Sequence, residues 1–237
     1  MNTYINKDKS IKLYNDDCIK IMNELIDKNI TVDCVVCDPP YKITSRGNSG
    51  NTGGMLKNKK SMQGDIFDYN DCHVSKWMPK IYELLKDTGH CYIMTNHINL
   101  LEYLNTAQQC GFKFIKSLIW NKGNKIMGQY YMSQFEYILF FRKGGGKKIN
   151  NCGTSDILNI PNKKQKDENG KNLHDTEKPI ELMKILISNS TQENEIVMDF
   201  AFGIGATAIA CKELNRQFIG MEIDKKYFDI TINRLNE

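Results

Sequence analysis

Apolar and polar positions alternate along this chain in two rhythms. Short runs rich in branched and aromatic residues predict strands at Ile11–Tyr14, Val32–Cys37, His90–Thr95, Phe114–Trp120, Phe135–Arg142, Glu195–Asp199 and Gln217–Glu222. Between them, apolar residues three and four apart predict helices at Asp17–Lys28, Val74–Lys86, Ile98–Cys110, Pro179–Ser190, Ala206–Leu214 and Lys225–Leu235. Pro179 suits a helix start, where the missing N–H has no internal partner to lose. Strands separated by amphipathic helices are expected to build an α/β, Rossmann-like fold: a mostly parallel, seven-stranded sheet with helices on both faces.

Two stretches break the rhythm. Tyr41–Asn70 and Gly144–Asn172 are long, rich in Gly and Asn, and only weakly periodic. Loops of that length inside a domain are functional or mobile. A single domain over 1–237 is therefore expected, with a mobile loop at about 42–72 and an insert at about 144–173.

Charge sharpens this picture. The net charge is +4, but Lys42–Gly64 holds five basic residues and no acid, and Arg142–Lys171 holds eight basic residues against three acids, leaving −6 on the rest. Basic loops on an acidic body point to a polyanionic partner, with plain surface solubility as the alternative. No stretch approaches the ~18 consecutive apolar residues of a membrane span. The polar Met1–Lys12 segment has no apolar signal region, so a cytoplasmic protein without membrane contact is expected. The eight cysteines lie scattered in apolar segments, and Cys34-x-x-Cys37 has no partners at zinc spacing, so no metal site is expected.

Chemistry concentrates at two places. Asp38-Pro39-Pro40-Tyr41 follows directly on an apolar strand, at the edge where open parallel sheets bind ligands. The two prolines stop ladder pairing and stiffen the turn. A carboxylate, fixed carbonyls and an aromatic ring then converge, without a strong nucleophile. Such a site suits a planar amine such as the exocyclic amino group of adenine or cytosine. Hydrogen bonds from its N–H groups to Asp38 and a loop carbonyl would localise the nitrogen lone pair for attack on an activated methyl group, with Tyr41 stacked on the base. The alternative is a Pro-Pro turn with an Asp selected for turn chemistry.

The second place runs from Asp199 through Phe200, Ala201, Gly203, Gly205 and Thr207 to Glu222, 23 positions after Asp199. It reads as strand, Gly-rich turn, helix and strand, with an acid placed for ribose hydroxyls. Gly203-x-Gly205-x-x-Ala208 also meets the loose dinucleotide fingerprint, and a tight strand–helix junction is the structural alternative. Only one helix follows Glu222, so earlier strands must complete the sheet, and a circularly permuted order follows.

Together these features resemble the amino-directed DNA methyltransferases of permuted, beta-type order, which use S-adenosylmethionine. The resemblance rests on Asp38-Pro39-Pro40-Tyr41, on His174-x-Thr176-x-Lys178-Pro179, on Asp199 with Gly203-x-Gly205, and on Gly220-Met221-Glu222-Ile223-Asp224. Trp120-Asn121-Lys122 and Phe135-Glu136-Tyr137 to Lys143-Gly144 are similar to the family's late strands. It implies that Asp38 and Pro39 accept hydrogen bonds from the target amine, that Pro40 stiffens the turn and that Tyr41 stacks on a flipped base. It further implies Asp17 near the cofactor adenine, Thr176 and Lys178 near its methionine end, and Asp199, Phe200, Ala201, Gly203, Gly205 and Thr207 along the loop. Glu222 and Asp224 would close the ribose end, and His174 would serve packing or hydrogen bonding. For Asp17, a helix cap is the competing role.

Phe200, Ala201, Ile204 and Ala206 depart from the family's usual Pro, aromatic or Leu, Ser or Cys, and Ser or Thr, which puts contacts to the cofactor carboxylate in question. The implied activity is methylation of adenine N6 in double-stranded DNA, with a target-recognition role for the 144–173 insert. An Asp at position 38 goes with adenine in most of the family, and Ser more often with cytosine. The alternatives are cytosine N4 methylation, a non-catalytic DNA-binding subunit, and a nicotinamide-dependent enzyme. Whether the chain forms a homodimer is left open.

Overall fold

Val32–Cys37 is apolar at every position except Asp33, and a strand without a polar face has to be covered on both sides. In the computed structural model, which describes residues 2–40, 72–126, 131–162, 170 and 177–237, this strand lies at the centre of a single sheet with all six residues buried. Asp33 is satisfied from two sides, by Lys86 Nζ at 2.7 Å and the Ile196 N–H at 2.9 Å.

The described strands are β1 (Asn2–Ile5), β2 (Ile11–Asn15), β3 (Val32–Cys37), β4 (Leu85–Thr95), β5 (Lys113–Ile126), β6 (Ser133–Arg142), β7 (Ile157–Asn159), β8 (Ile196–Asp199) and β9 (Gln217–Met221). Their order across the sheet is β1-β2-β9-β8-β3-β4-β6-β5-β7. The pairs β2–β9, β9–β8, β8–β3, β3–β4 and β5–β7 are parallel, whereas β1–β2, β4–β6 and β6–β5 are antiparallel. The sheet is thus mixed, with a parallel centre.

The described helices that cover it are α1 (Cys18–Asp27), α2 (Val74–Leu84), α3 (Leu100–Cys110), α4 (Ile180–Ser190), α5 (Ala206–Glu213) and α6 (Lys225–Asn236). Strand alternation sorts the core into two layers. Val35 and Cys37 join Ile21, Trp77, Ile81 and Ala107 on the face of α1, α2 and α3. Cys34 and Val36 join Leu182, Leu186, Ala208 and Phe228 on the face of α4, α5 and α6.

The seven strands expected from periodicity form the unbroken interior of the sheet, β2 through β5. The two additional strands, β1 and β7, are its edges, so the described sheet has nine strands rather than seven. Both are short, and their side chains are largely exposed, which leaves no apolar alternation to read. β7 also revises the first half of the 144–173 segment. Asn150 Nδ2 donates to the Ser188 and Thr191 carbonyls at 2.6 and 3.0 Å, and Trp120 Nε1 donates to the Ile160 carbonyl at 2.8 Å. Residues 147–160 are therefore bound back onto the domain, while 41–71 and most of 163–176 lie outside the described residues.

Candidate active site

The C-terminal ends of β2, β9, β8, β3 and β4 fall on one edge of the sheet, and antiparallel β6 enters there, with Tyr137 opposite Thr95. Asp38 and the buried Pro39 continue from β3 at this edge. Lys178, just ahead of α4, places its ammonium against Asp38 Oδ2. The same ammonium lies 3.6 Å from Glu136 Oε2 on β6, and Glu136 Oε1 in turn pairs with Lys122 on β5. Trp120 floors this row, with Lys122 Nζ 5.1 Å and Lys178 Nζ 6.0 Å from its ring centroid. Four charges of alternating sign, Lys122, Glu136, Lys178 and Asp38, thus line the edge and sum to zero.

The row is incomplete as a hydrogen-bond network. Asp38 Oδ1, Glu136 Oε2 and Thr95 Oγ1 are buried at this edge without a hydrogen-bond partner among the described residues. Buried polar atoms normally find hydrogen bonds, so Asp38 Oδ1, which is not the oxygen that meets Lys178, offers a seat to a donor from outside the chain, with the Thr95 hydroxyl nearby. Burial pushes the Asp38 carboxyl above the usual carboxylate range, against the pull of Lys178. Burial acts on Glu136 in the same direction, but Lys178 and Lys122 outweigh it and hold that acid below its usual value. Burial would lower Lys178, yet the facing Asp38 and Glu136 keep it above its usual value and charged.

Beside Asp38, β8 ends in Asp199, whose carboxylate accepts from the Thr207 hydroxyl at 2.6 Å and the Ala201 N–H at 3.1 Å. Burial raises Asp199 to about 6, with Thr207, the Ala201 N–H and the Cys37 thiol opposing. The turn that follows uses left-handed glycines, Gly203 at φ +56° and Gly205 at φ +83°. At Gly205 a Cβ would meet Thr231 Cγ2 at 2.4 Å, so the start of α5 can approach α6 only without a side chain there. Glu222, directly after β9, accepts from the Gly203 N–H and the Asp224 N–H, each at 2.8 Å, and burial raises it to about 7. Arg234 on α6 reaches both the Ile204 carbonyl and Glu177, tying the Gly-rich turn to the segment that carries Lys178.

The sequence-derived residues divide accordingly. Asp38, Pro39, Pro40, Lys178, Asp199, Gly203, Gly205, Thr207 and Glu222 share the edge or the turn beside it. Asp17 caps α1, accepting from the Lys20 N–H at 3.0 Å, and Asp224 caps α6 through the Lys226 N–H at 2.8 Å. Both caps stand where β2 and β9 end side by side, Glu222 N–H donating to the Tyr14 carbonyl at 3.0 Å. Phe200 turns its ring into the core against Trp77, 5.0 Å between centroids, so only its backbone is left to line a ligand; Ala201 is half-buried. Tyr41, His174 and Thr176 lie outside the described residues. Sequence reasoning assigned no role to Lys122 or Glu136. The available signal was Glu136 as the lone acid of β6 and Lys122 just past the apolar Leu118–Trp120 run.

A family profile described as DNA methylase of the N6/N4 type matches residues 32–233. The Type II methyltransferase M2.MboI of Moraxella bovis is 28% identical, aligned over 97% of this chain and 89% of its own length. The Type II methyltransferase M2.DpnII of Streptococcus pneumoniae is 29% identical over 98% of this chain and 91% of its own length. Among solved structures, the complex of M1.HpyAVI with SAM superposes with a TM-score of 0.72 at 24% identity, covering 94% of this chain and 99% of that one. The cytosine-N4-specific PvuII DNA methyltransferase gives 0.72 at 15% identity, covering 94% and 86%.

Proposed function

Because this chain belongs to the N6/N4 DNA methylase family, we propose that it transfers a methyl group from S-adenosylmethionine to the exocyclic N6 of an adenine flipped out of double-stranded DNA. The observation that carries the reading is Asp38 Oδ1, buried at the end of β3 beside the Pro39-Pro40 turn and without a hydrogen-bond partner among the described residues. An exocyclic amine supplies the N–H that this oxygen lacks. Accepting that N–H draws the nitrogen lone pair out of conjugation with the ring, and the second N–H has a carbonyl of the turn within the same strand end. As the N–C bond forms, the nitrogen becomes cationic and sheds one proton, for which Asp38 is the adjacent base.

The residues beside Asp38 fit the cofactor by their chemistry. S-adenosylmethionine, when bound, supplies a methyl carbon on a sulfonium, which leaves as a thioether. Glu222 has two oxygens fixed by backbone N–H groups and lone pairs left over for a ribose diol. The Gly203–Gly205 turn and the first N–H groups of α5 suit an amino-acid carboxylate. Lys178 is engaged with Asp38 and Glu136, so its part at the methionine end, which the resemblance implied, is subordinate here to a part at the target amine.

The strand with Asp38 is third in the chain and that with Asp199 eighth, yet they are neighbours in the sheet, which supports the permuted, beta-type assignment. The Type II relatives support a place in a restriction-modification system, acting on duplex DNA. The base assignment rests on Asp at position 38. Mass spectrometry of nucleosides from DNA treated with the protein and S-adenosylmethionine tests it. N6-methyladenine is expected; N4-methylcytosine would overturn the base, and unmodified DNA the activity.

A further inference from the structure

The Lys178 ammonium sits on Asp38 Oδ2, beside the Oδ1 that the proposed function assigns to the target amine. A cation on one oxygen draws charge from the other, so Asp38 reaches its full strength as acceptor and base only once the lysine yields. A buried ammonium cannot yield without a second acceptor, because an isolated charge in a dry site is strongly disfavoured. One is present: Glu136 Oε2 is buried, has no hydrogen-bond partner among the described residues, and already forms an ion pair with Lys178 Nζ at 3.6 Å. That distance lies just beyond hydrogen-bond length, so a displacement of about an ångström closes it. Lys122, bound to Glu136 Oε1, holds the acid in place during the exchange. The exchange itself leaves the row of four charges neutral, since it moves no charge out of it.

We propose that Glu136 is a positioning residue that takes over the Lys178 ammonium from Asp38 as the target amine enters, and so strengthens Asp38 as acceptor and base. The inference rests on reading Asp38 as the seat of that amine. It gives the lysine two stations. On Asp38 Oδ2 it balances the carboxylate while the site is empty; on Glu136 it leaves the carboxylate at full strength to accept an N–H and then a proton. Return of the ammonium to Asp38 after that proton is lost would help to expel the methylated base.

The test compares single-turnover methyl transfer in wild-type protein, Glu136→Gln, and the double variant Glu136→Gln with Lys178→Met, on a duplex carrying the target found by modification-aware sequencing. The glutamine keeps the shape of the acid but removes its charge, so the ammonium stays on Asp38. Transfer should fall roughly 10- to 100-fold, with affinity for S-adenosylmethionine unchanged. Removing the lysine as well should recover several-fold of the lost rate, which a merely structural Glu136 would not allow. A wild-type rate in Glu136→Gln, or no recovery in the double variant, overturns the proposal. Wild-type protein that methylates no DNA overturns the proposed function instead. If Glu136→Gln does not fold, a wild-type complex with target duplex and a non-reactive cofactor analogue decides. Lys178 Nζ bonded to Glu136 supports the exchange, and Lys178 Nζ still on Asp38 with the base seated refutes it.

Discussion

Burial decides the behaviour of the carboxylates at this sheet edge, and each one answers it differently. Glu136 is held ionised by two lysines, whereas Glu222 has only backbone N–H groups to offset desolvation and is raised to about 7. A native value above the unfolded one means that folded protein binds the proton more tightly. Glu222 therefore contributes stability that is complete below about pH 4.5 and lost as pH rises through about 7. Glu222→Gln removes this dependence, so urea unfolding should show the variant gaining on wild type between pH 5 and pH 8, by no more than about 3 kcal/mol. A stability difference that stays flat across that range would contradict the assignment. For Asp38 the prediction is kinetic. Asp38→Asn exchanges an acceptor for a donor facing the amine and should reduce transfer by about 10²–10³-fold. Circular dichroism should be unchanged, and near-normal turnover would remove Asp38 from the chemistry.

At the scale of elements, the junction from β8 to α5 is the most constrained. Gly205 combines φ +83° with a Thr231 methyl 2.4 Å from any added Cβ. Gly205→Ala should therefore destabilise the protein by about 1–3 kcal/mol through left-handed strain and overpacking. Adding Thr231→Ser should recover the packing share and leave the strain, as read by urea midpoints; full tolerance of the single change would refute the close approach. Amphipathic helices were legible because they bury one stripe, as Ile21, Met22 and Leu25 do in α1; α5 is buried nearly all round its first turns. Their ends were legible where side chains cap them, Asp17 for α1 and Asp224 for α6. β5 ran past its expected end at Trp120 to Ile126, because pairing with β6 supplies hydrogen bonds that do not depend on apolar side chains. The edge strands β1 and β7 escaped notice for the same reason.

Over the whole molecule, an acidic body carries its excess positive charge in two segments, and under the proposed function these meet phosphate. Replacing Lys57, Lys59 and Lys60 by Ser should weaken DNA binding and reduce the slope of log affinity against log salt by up to about 2.7. Fluorescence anisotropy at several salt concentrations measures both, and an unchanged slope would show that these lysines touch no phosphate. Under the proposed function, the parallel centre of the sheet makes one rim serve both cofactor and target base. β3 brings Asp38, and β8 and β9 bring Asp199 and Glu222, to the same end.

Local rhythm and short motifs were enough for the seven interior strands, the described helices, the Asp38 turn and the Gly203–Gly205 turn. Each depends on residues close together in the chain, where periodicity and backbone preference act directly. The row of charges depended on folding. Lys178 reaches Asp38 across 140 positions, and Glu136 joins them only because β6 inserts antiparallel between β4 and β5. Which side chains converge at a strand edge is set by the order of strands in the sheet. That order is chosen by packing of distant segments, so the partners of Asp38 became visible only in the folded chain.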